Sequence, residues 1–255
     1  MTIMKKSYSI KALCIAVLIT ICSFCAQAQL ENSVYLNAGI PTQQFNDAFD
    51  YDLISGVASP LLGKDNVGKG ATLGLGLGYR CTYRFDIGYG EVSPFLNVDF
   101  MWNQIKGSYR DSLSVASARI PKYFNIPIML GINYSYQLTD IIKVFGEFGV
   151  GSDLFFVTSE GWKNNDAKPF CKYDTKTALC WQIGGGAYFG SHVSASLHYY
   201  GLGKHAFTYD KKSHFENMTL EEIEQDRAGL GTGYEFNKPE LRSIGTLMLR
   251  IGFHF

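Results

Sequence analysis

Four residues late in the chain have the types and spacing for nucleophilic chemistry. His192, Ser194, Ser196 and His198 recur at every second position, so an extended backbone would put all four side chains on one face. A serine hydroxyl beside an imidazole is activated when a carboxylate orients the imidazole. No acid accompanies the row. The four are therefore read as small polar fillers, and the chain is expected not to be an enzyme. The stretch Gly63-Lys64-Asp65-Asn66-Val67-Gly68-Lys69 fits the first seven positions of a phosphate-binding loop. However, Gly70 stands where Ser or Thr must bind magnesium, and a strand pattern follows in place of a helix. Gly74, Gly76 and Gly78 repeat with period two, which is not the spacing of a dinucleotide fingerprint. No Cys-x-x-Cys and no tight His cluster occurs, so no metal and no cofactor is expected.

The elements that position these residues begin after a leader. Lys5, Lys6 and Lys11 precede an apolar run of 13 residues, Ala12 to Phe24, and then Ala26-Gln27-Ala28. That is a charged start, an apolar middle and a small-x-small cleavage site, so residues 1–28 are expected to be a removed signal and 29–255 the mature domain. The apolar run is too short to cross ~30 Å of hydrocarbon as a helix. Removing the leader leaves a net charge of about −3, which argues against nucleic acid, whose binding rests on a dense basic patch. It also leaves Cys81, Cys171 and Cys180. Cys171 and Cys180 could pair in an oxidising compartment, but unpaired thiols are the reading adopted. Aromatics make up 15% of the chain, with 27 Gly and 7 Pro, a composition poor for helices and good for strands.

Period-two alternation runs through the rest. Leu247, Leu249, Ile251, Phe253 and Phe255 form an apolar row against Met248, Arg250, Gly252 and His254. Leu73 to Tyr83 does so against Gly74, Gly76, Gly78 and Arg80. Similar segments are Val34–Ile40, Phe95–Asn103, Tyr123–Tyr134, Ile142–Val150, Leu179–Phe189 and Val193–Tyr199. Eight strands are expected, an even number that suits a single-chain bacterial barrel. Their connections alternate in length. The long ones are Pro41–Lys69, Lys106–Arg119, Asp153–Asp174 and Gly203–Arg242, the last with a T-x-x-E capping box at Thr219–Glu222 and a stop at Gly229. The short ones are Phe85–Ser93, Tyr136–Asp140 and Gly190–Ser191.

Alternation alone also describes a soluble sandwich. Three features favour a transmembrane barrel. The polar rows are glycine-rich, as the narrow interior of an eight-stranded barrel requires. Tyr79, Tyr83, Tyr134, Phe189 and Phe253 fall near one set of strand ends, and Trp102, Phe124, Trp181 and Tyr199 near the other, as membrane girdles do. Phe253 and the terminal Phe255 lie on the apolar row and resemble the signal read by the barrel assembly machinery. Arg80, Asp99, Lys143, Glu147 and Arg250 all fall on the polar rows and are expected to form a paired polar plug in the lumen. Pro127 is discordant inside a strand and is expected to sit at a bulge.

Several segments resemble a known family. Tyr123-Phe124-Asn125-Ile126-Pro127-Ile128-Met129-Leu130 is similar to the Y-x-x-I-P-x-x-L strand of the outer-membrane β-barrel family common in Bacteroidetes, sometimes called PorT-like, with barrels of the OmpA/OmpX type. Leu197–Leu202 resembles its R-Y-x-x-G-L strand through Gly201 and Leu202, and Leu249–Phe255 resembles its L-x-x-G-Y-x-F terminus, with Phe253 for Tyr. The resemblance implies an eight-stranded barrel in the outer membrane of a Gram-negative bacterium, in contact with lipid, and no catalytic residues. The expected role is structural or loop-mediated binding, without an open pore of the porin kind. Phe155, Phe156, Trp162, Phe170, Phe207, Tyr234 and Phe236 are the expected loop contacts to an extracellular partner. The alternative is an accessory role in protein secretion, with a secretion-system partner. A rim lipid hydrolase and a soluble secreted barrel are set aside.

Overall fold

The computed structural model describes residues 30–49, 66–106, 121–158, 173–175, 177–209 and 239–255. The leader, the T-x-x-E segment and Cys171 lie outside the described residues. Ten strands occur in order: β1 (Leu30–Gln43), β2 (Ala71–Tyr83), β3 (Phe85–Asp86), β4 (Glu91–Ile105), β5 (Tyr123–Gln137), β6 (Ile142–Val157), β7 (Tyr173–Thr175), β8 (Ala178–Phe189), β9 (Val193–Tyr209) and β10 (Glu240–His254). Eight long ones pair antiparallel in the order β10-β1-β2-β4-β5-β6-β8-β9, and β9 pairs back onto β10. The wall is a closed eight-stranded antiparallel β-barrel. The two short strands are additions to it: β3 pairs with β4, and β7 pairs with the far end of β9. No helix among the described residues is long and apolar enough to cross a membrane, which leaves crossing by strands open.

The connections after β1, β4, β6 and β9 all leave from one end of the barrel, the loop end. Those around β3, after β5 and after β8 lie at the other, the turn end. Alternation decides which residues face where. Leu73, Leu75, Leu77 and Tyr79 point out and are exposed, while Gly74, Gly78, Arg80 and Thr82 on the same strand are buried. The same split runs along β10, with Leu249, Ile251 and Phe253 outside and Met248, Arg250 and His254 inside. Glycine on the inward rows makes room: a Cβ on Gly78 would lie 2.1 Å from Asp99 Oδ1.

Two departures from regularity matter. Pro127 sits at no bulge. The β5–β6 pairing runs unbroken through it, opposite Asp153. On the other side, the β4–β5 pairing stops after Val98–Ile128 and resumes at Met101–Asn125 in the same register. Proline lacks the amide proton, so the ladder loses rungs without gaining a residue. A bulge does occur in β9. Gly245 pairs with Gly201 and Ile244 with Gly203, leaving Leu202 as the extra residue. Gly203 has φ +90, which glycine adopts without steric penalty. The extra residue reverses parity: Ser194, Ser196, His198 and Tyr200 are buried before it, His205 and Phe207 after it.

Candidate functional site

The inward rows of all eight long strands converge on the lumen, which is filled in layers. At mid-height, Arg250 from β10 is fully buried. It donates to Tyr200 Oη at 3.0 Å, Asn97 Oδ1 at 2.9 Å and Asp99 Oδ1 at 3.1 Å. Asp99 also accepts from Asn37 at 2.9 Å, from Tyr200 at 2.9 Å and from Asn97. The Arg250 guanidinium lies 4.1 Å from the centre of the Tyr35 ring, a cation–π contact. Next, toward the turn end, Arg80 from β2 grips Glu147 from β6 through two bonds of 2.6 Å. Asn133 and Gln182 add bonds to the same carboxylate at 3.1 Å and 3.0 Å. Each of these four buried charges faces an opposite one and is hydrogen-bonded, the condition under which ions persist in an interior. Lys143 belongs to a separate, more open group near the rim, donating to Glu91 at 2.6 Å.

Above the polar layers, toward the loop end, the filling turns apolar. Phe45, Tyr123, Phe155 and Phe207 pack ring against ring, with centroids 5.3–5.7 Å apart, and Phe49 and Val67 join the same cluster. Phe45 and Phe49 come from residues 44–49 after β1, and Val67 from the chain leading into β2. These segments are tied inward. Gly70 N–H donates to Asp47 O at 3.0 Å, Tyr123 Oη to Lys69 O at 2.8 Å and Ser243 N–H to Gln44 Oε1 at 2.7 Å. Residues 44–49 and 66–70 of the first long connection therefore plug the loop end of the lumen.

That plug corrects two sequence expectations. Phe155 and Phe207 are not loop contacts: β6 and β9 extend past the expected strand ends, and both rings are buried inside the barrel. Phe156 is exposed on the outer face of β6. Trp162, Phe170, Tyr234 and Phe236 lie outside the described residues. Cys180 is a free, buried cysteine on the lumen side of β8. No cluster of three or more potential metal ligands occurs among the described residues.

The serine–histidine row is divided differently from its sequence order. His192 is exposed, and His198 Nε2 lies 2.8 Å from Ser196 Oγ. Ser194 meets a histidine the row did not contain, His254 of β10, whose Nε2 lies 2.8 Å from Ser194 Oγ. Its Nδ1 lies 3.0 Å from Glu31 Oε1 and 2.7 Å from Ser33 Oγ. Closure of β1 against β10 brings Glu31 to His254 across the whole chain, which spacing along the sequence cannot reveal.

No family model matches the sequence, and no curated protein matches it. Among solved structures, the chain is similar to a major outer membrane protein from Thermus thermophilus, at 12% identity over 89% of this chain and 100% of that one, with a TM-score of 0.46. It is also similar to Neisserial surface protein A, at 8% identity over 89% and 96% with a TM-score of 0.41. The outer membrane protein AlkL is similar at 18% identity over 90% and 90%, with a TM-score of 0.39.

Proposed function

We propose that the chain is an outer-membrane barrel that does not conduct and that acts by what it presents at its loop end. The observation that supports this is the inversion of the wall. A soluble barrel turns its apolar row inward. Here Leu36, Leu77, Leu130, Ile132, Phe148, Ile183, Leu249 and Ile251 are exposed on the outside of a closed sheet, while the inside holds two arginine–carboxylate pairs. An apolar belt of that extent is at home only against lipid. Among the described residues the lumen is occupied by polar layers and a ring cluster, which supports a barrel that does not conduct. Four long connections leave from the loop end, the side that faces outward in such barrels, and would carry the contact to an extracellular partner.

A second reading, an accessory role in secretion, follows from the family resemblance and is favoured by one observation at the turn end. Phe85, Ile87, Leu138 and Ile141 are exposed there, and Tyr89 is 86% exposed. The first experiment is an unheated and boiled gel of isolated outer membranes, followed by planar-bilayer recording. A compact band that shifts on boiling, with no steady conductance, is expected. An unshifted band from soluble periplasm overturns the membrane reading, and stable channel currents overturn the sealed lumen. Pull-downs then separate the two roles: loss of partners on deleting residues 210–238 supports the first, and loss on Tyr89→Ser with Ile87→Ser supports the second.

A further inference from the structure

At the turn end, where β1 closes against β10, three side chains stand in series. A carboxylate only accepts, so the contact between His254 Nδ1 and Glu31 Oε1 at 3.0 Å puts the ring proton on Nδ1. Nε2 is then an acceptor, and the Ser194 hydroxyl 2.8 Å away donates to it. Hydroxyl, imidazole and carboxylate in this order are the arrangement that generates a serine nucleophile. Ser33 Oγ, 2.7 Å from Nδ1, is a second acceptor that steadies the ring.

The backbone beside the hydroxyl is glycine because the packing there leaves no room for a side chain. Gly252 lies directly across the β9–β10 ladder from Ser194. A Cβ there would lie 2.4 Å from Ser194 Oγ and 2.6 Å from Tyr35 Cε1. The rings of Tyr35 and Tyr188 stand 5.9 Å and 5.0 Å from the His254 ring and wall the spot with apolar surface. Ser194 is 1% exposed, so the side chains packed over it at the turn end have to yield before a substrate reaches it. Glu31 and Arg84 lie nearer the surface, with side chains 16% and 29% exposed and paired to each other. Arg84 also lies 5.6 Å from the Tyr188 ring centre.

We propose that Ser194, His254 and Glu31 form a serine-esterase site at the turn end, which takes a carboxylic ester with an apolar acyl group. Ser194 Oγ attacks the carbonyl carbon while its proton passes to His254 Nε2, and Glu31 stabilises the imidazolium. The tetrahedral intermediate expels the alcohol, which leaves with that proton. Water then attacks the acyl-serine, again losing a proton to Nε2. The carboxylic acid departs as the proton returns to Ser194. No redox partner is needed. This activity goes beyond a sealed, partner-binding barrel and does not depend on it.

The test uses the full mature chain in detergent micelles, with folding checked by the heat-shifted band. A fluorophosphonate probe is added, the labelled peptide is mapped by mass spectrometry, and p-nitrophenyl butyrate hydrolysis is followed. Labelling at Ser194 is expected, lost in Ser194→Ala, kept in Ser196→Ala, and slowed at least about tenfold in Glu31→Gln, since the acid orients the base. Folded wild-type protein that takes no label, takes it at another serine, or is labelled equally fast in folded Glu31→Gln overturns the proposal. If Ser194→Ala does not fold, the mapped position of the label on the wild-type chain decides alone. Failure here leaves the gel and conductance results untouched.

Discussion

Replacing Glu147 by glutamine removes one charge from the best-defined buried pair in the lumen, and the geometry sets the size of the effect. Glu147 Oε2 receives Arg80 and Asn133, and Oε1 receives Arg80 and Gln182, so all four bonds come from donors. Glutamine keeps one acceptor oxygen and substitutes an amide that donates. Whichever way it turns, that amide meets two donors, and Arg80 is left buried without a counter-charge. Removing one partner of a buried pair costs about 3–5 kcal/mol. That raises the unfolding equilibrium constant by roughly two to three and a half powers of ten, taking 1.4 kcal/mol per tenfold. The assay is a urea series in detergent micelles, with the folded fraction read from the unheated gel band. Arg80→Met should cost a similar amount. Glu147→Met alone should also cost that much, whereas the double variant Arg80→Met/Glu147→Met should cost less than either methionine single, since no orphaned charge remains, with coupling of about 3 kcal/mol or more. Singles costing under about 1 kcal/mol, or a double equal to their sum, would refute the view that the two groups act as one buried unit.

Two further outcomes test other layers. Leu77→Arg places a cation at the middle of the outer face of β2 and should destabilise the protein in lipid vesicles by about 2–4 kcal/mol, measured by urea unfolding; no loss would mean that this face does not meet hydrocarbon. Phe155→Ala empties the ring cluster at the loop end and should cost about 3–5 kcal/mol while opening residues 44–49 to protease; unchanged cleavage there would show that those segments are not held by the cluster.

The wall was largely legible in the sequence because one physical rule, alternation, governs each strand between its ends. What escaped were places where that rule is interrupted. β9 was ended at Tyr199 because the bulge at Leu202 reverses parity, so Phe207 read as part of a loop. Phe155 carries a usable signal, since stepping by two from Glu147 reaches Asp153 and then Phe155, but the apolar outer row is clear only to Val150. Phe45, Phe49 and Val67 show no period, since they pack from an irregular connection whose course is set by the cavity it fills. Asp99, Arg80, Glu147 and Arg250 were assigned to the lumen by parity, but who pairs with whom depends on the curvature of the closed wall. Glu31 lay outside the expected first strand, and its meeting with His254 requires β1 and β10 to be neighbours.

The two buried arginine pairs join strands that do not touch. Arg80 on β2 reaches Glu147 on β6, and Arg250 on β10 reaches Asp99 on β4. In the wall, β4 and β5 separate the first couple, and β1 and β2 the second. Neither tie can form while the sheet is an open ribbon, because only curvature brings the partners within reach. A sheet not yet rolled therefore carries four charges on the face it is about to enclose, and rolling brings each of them to its partner. Assembly under these conditions has no stable halfway point: the last strand turns a ribbon with a charged concave side into a cross-tied tube whose strands can no longer slip past one another by a single residue.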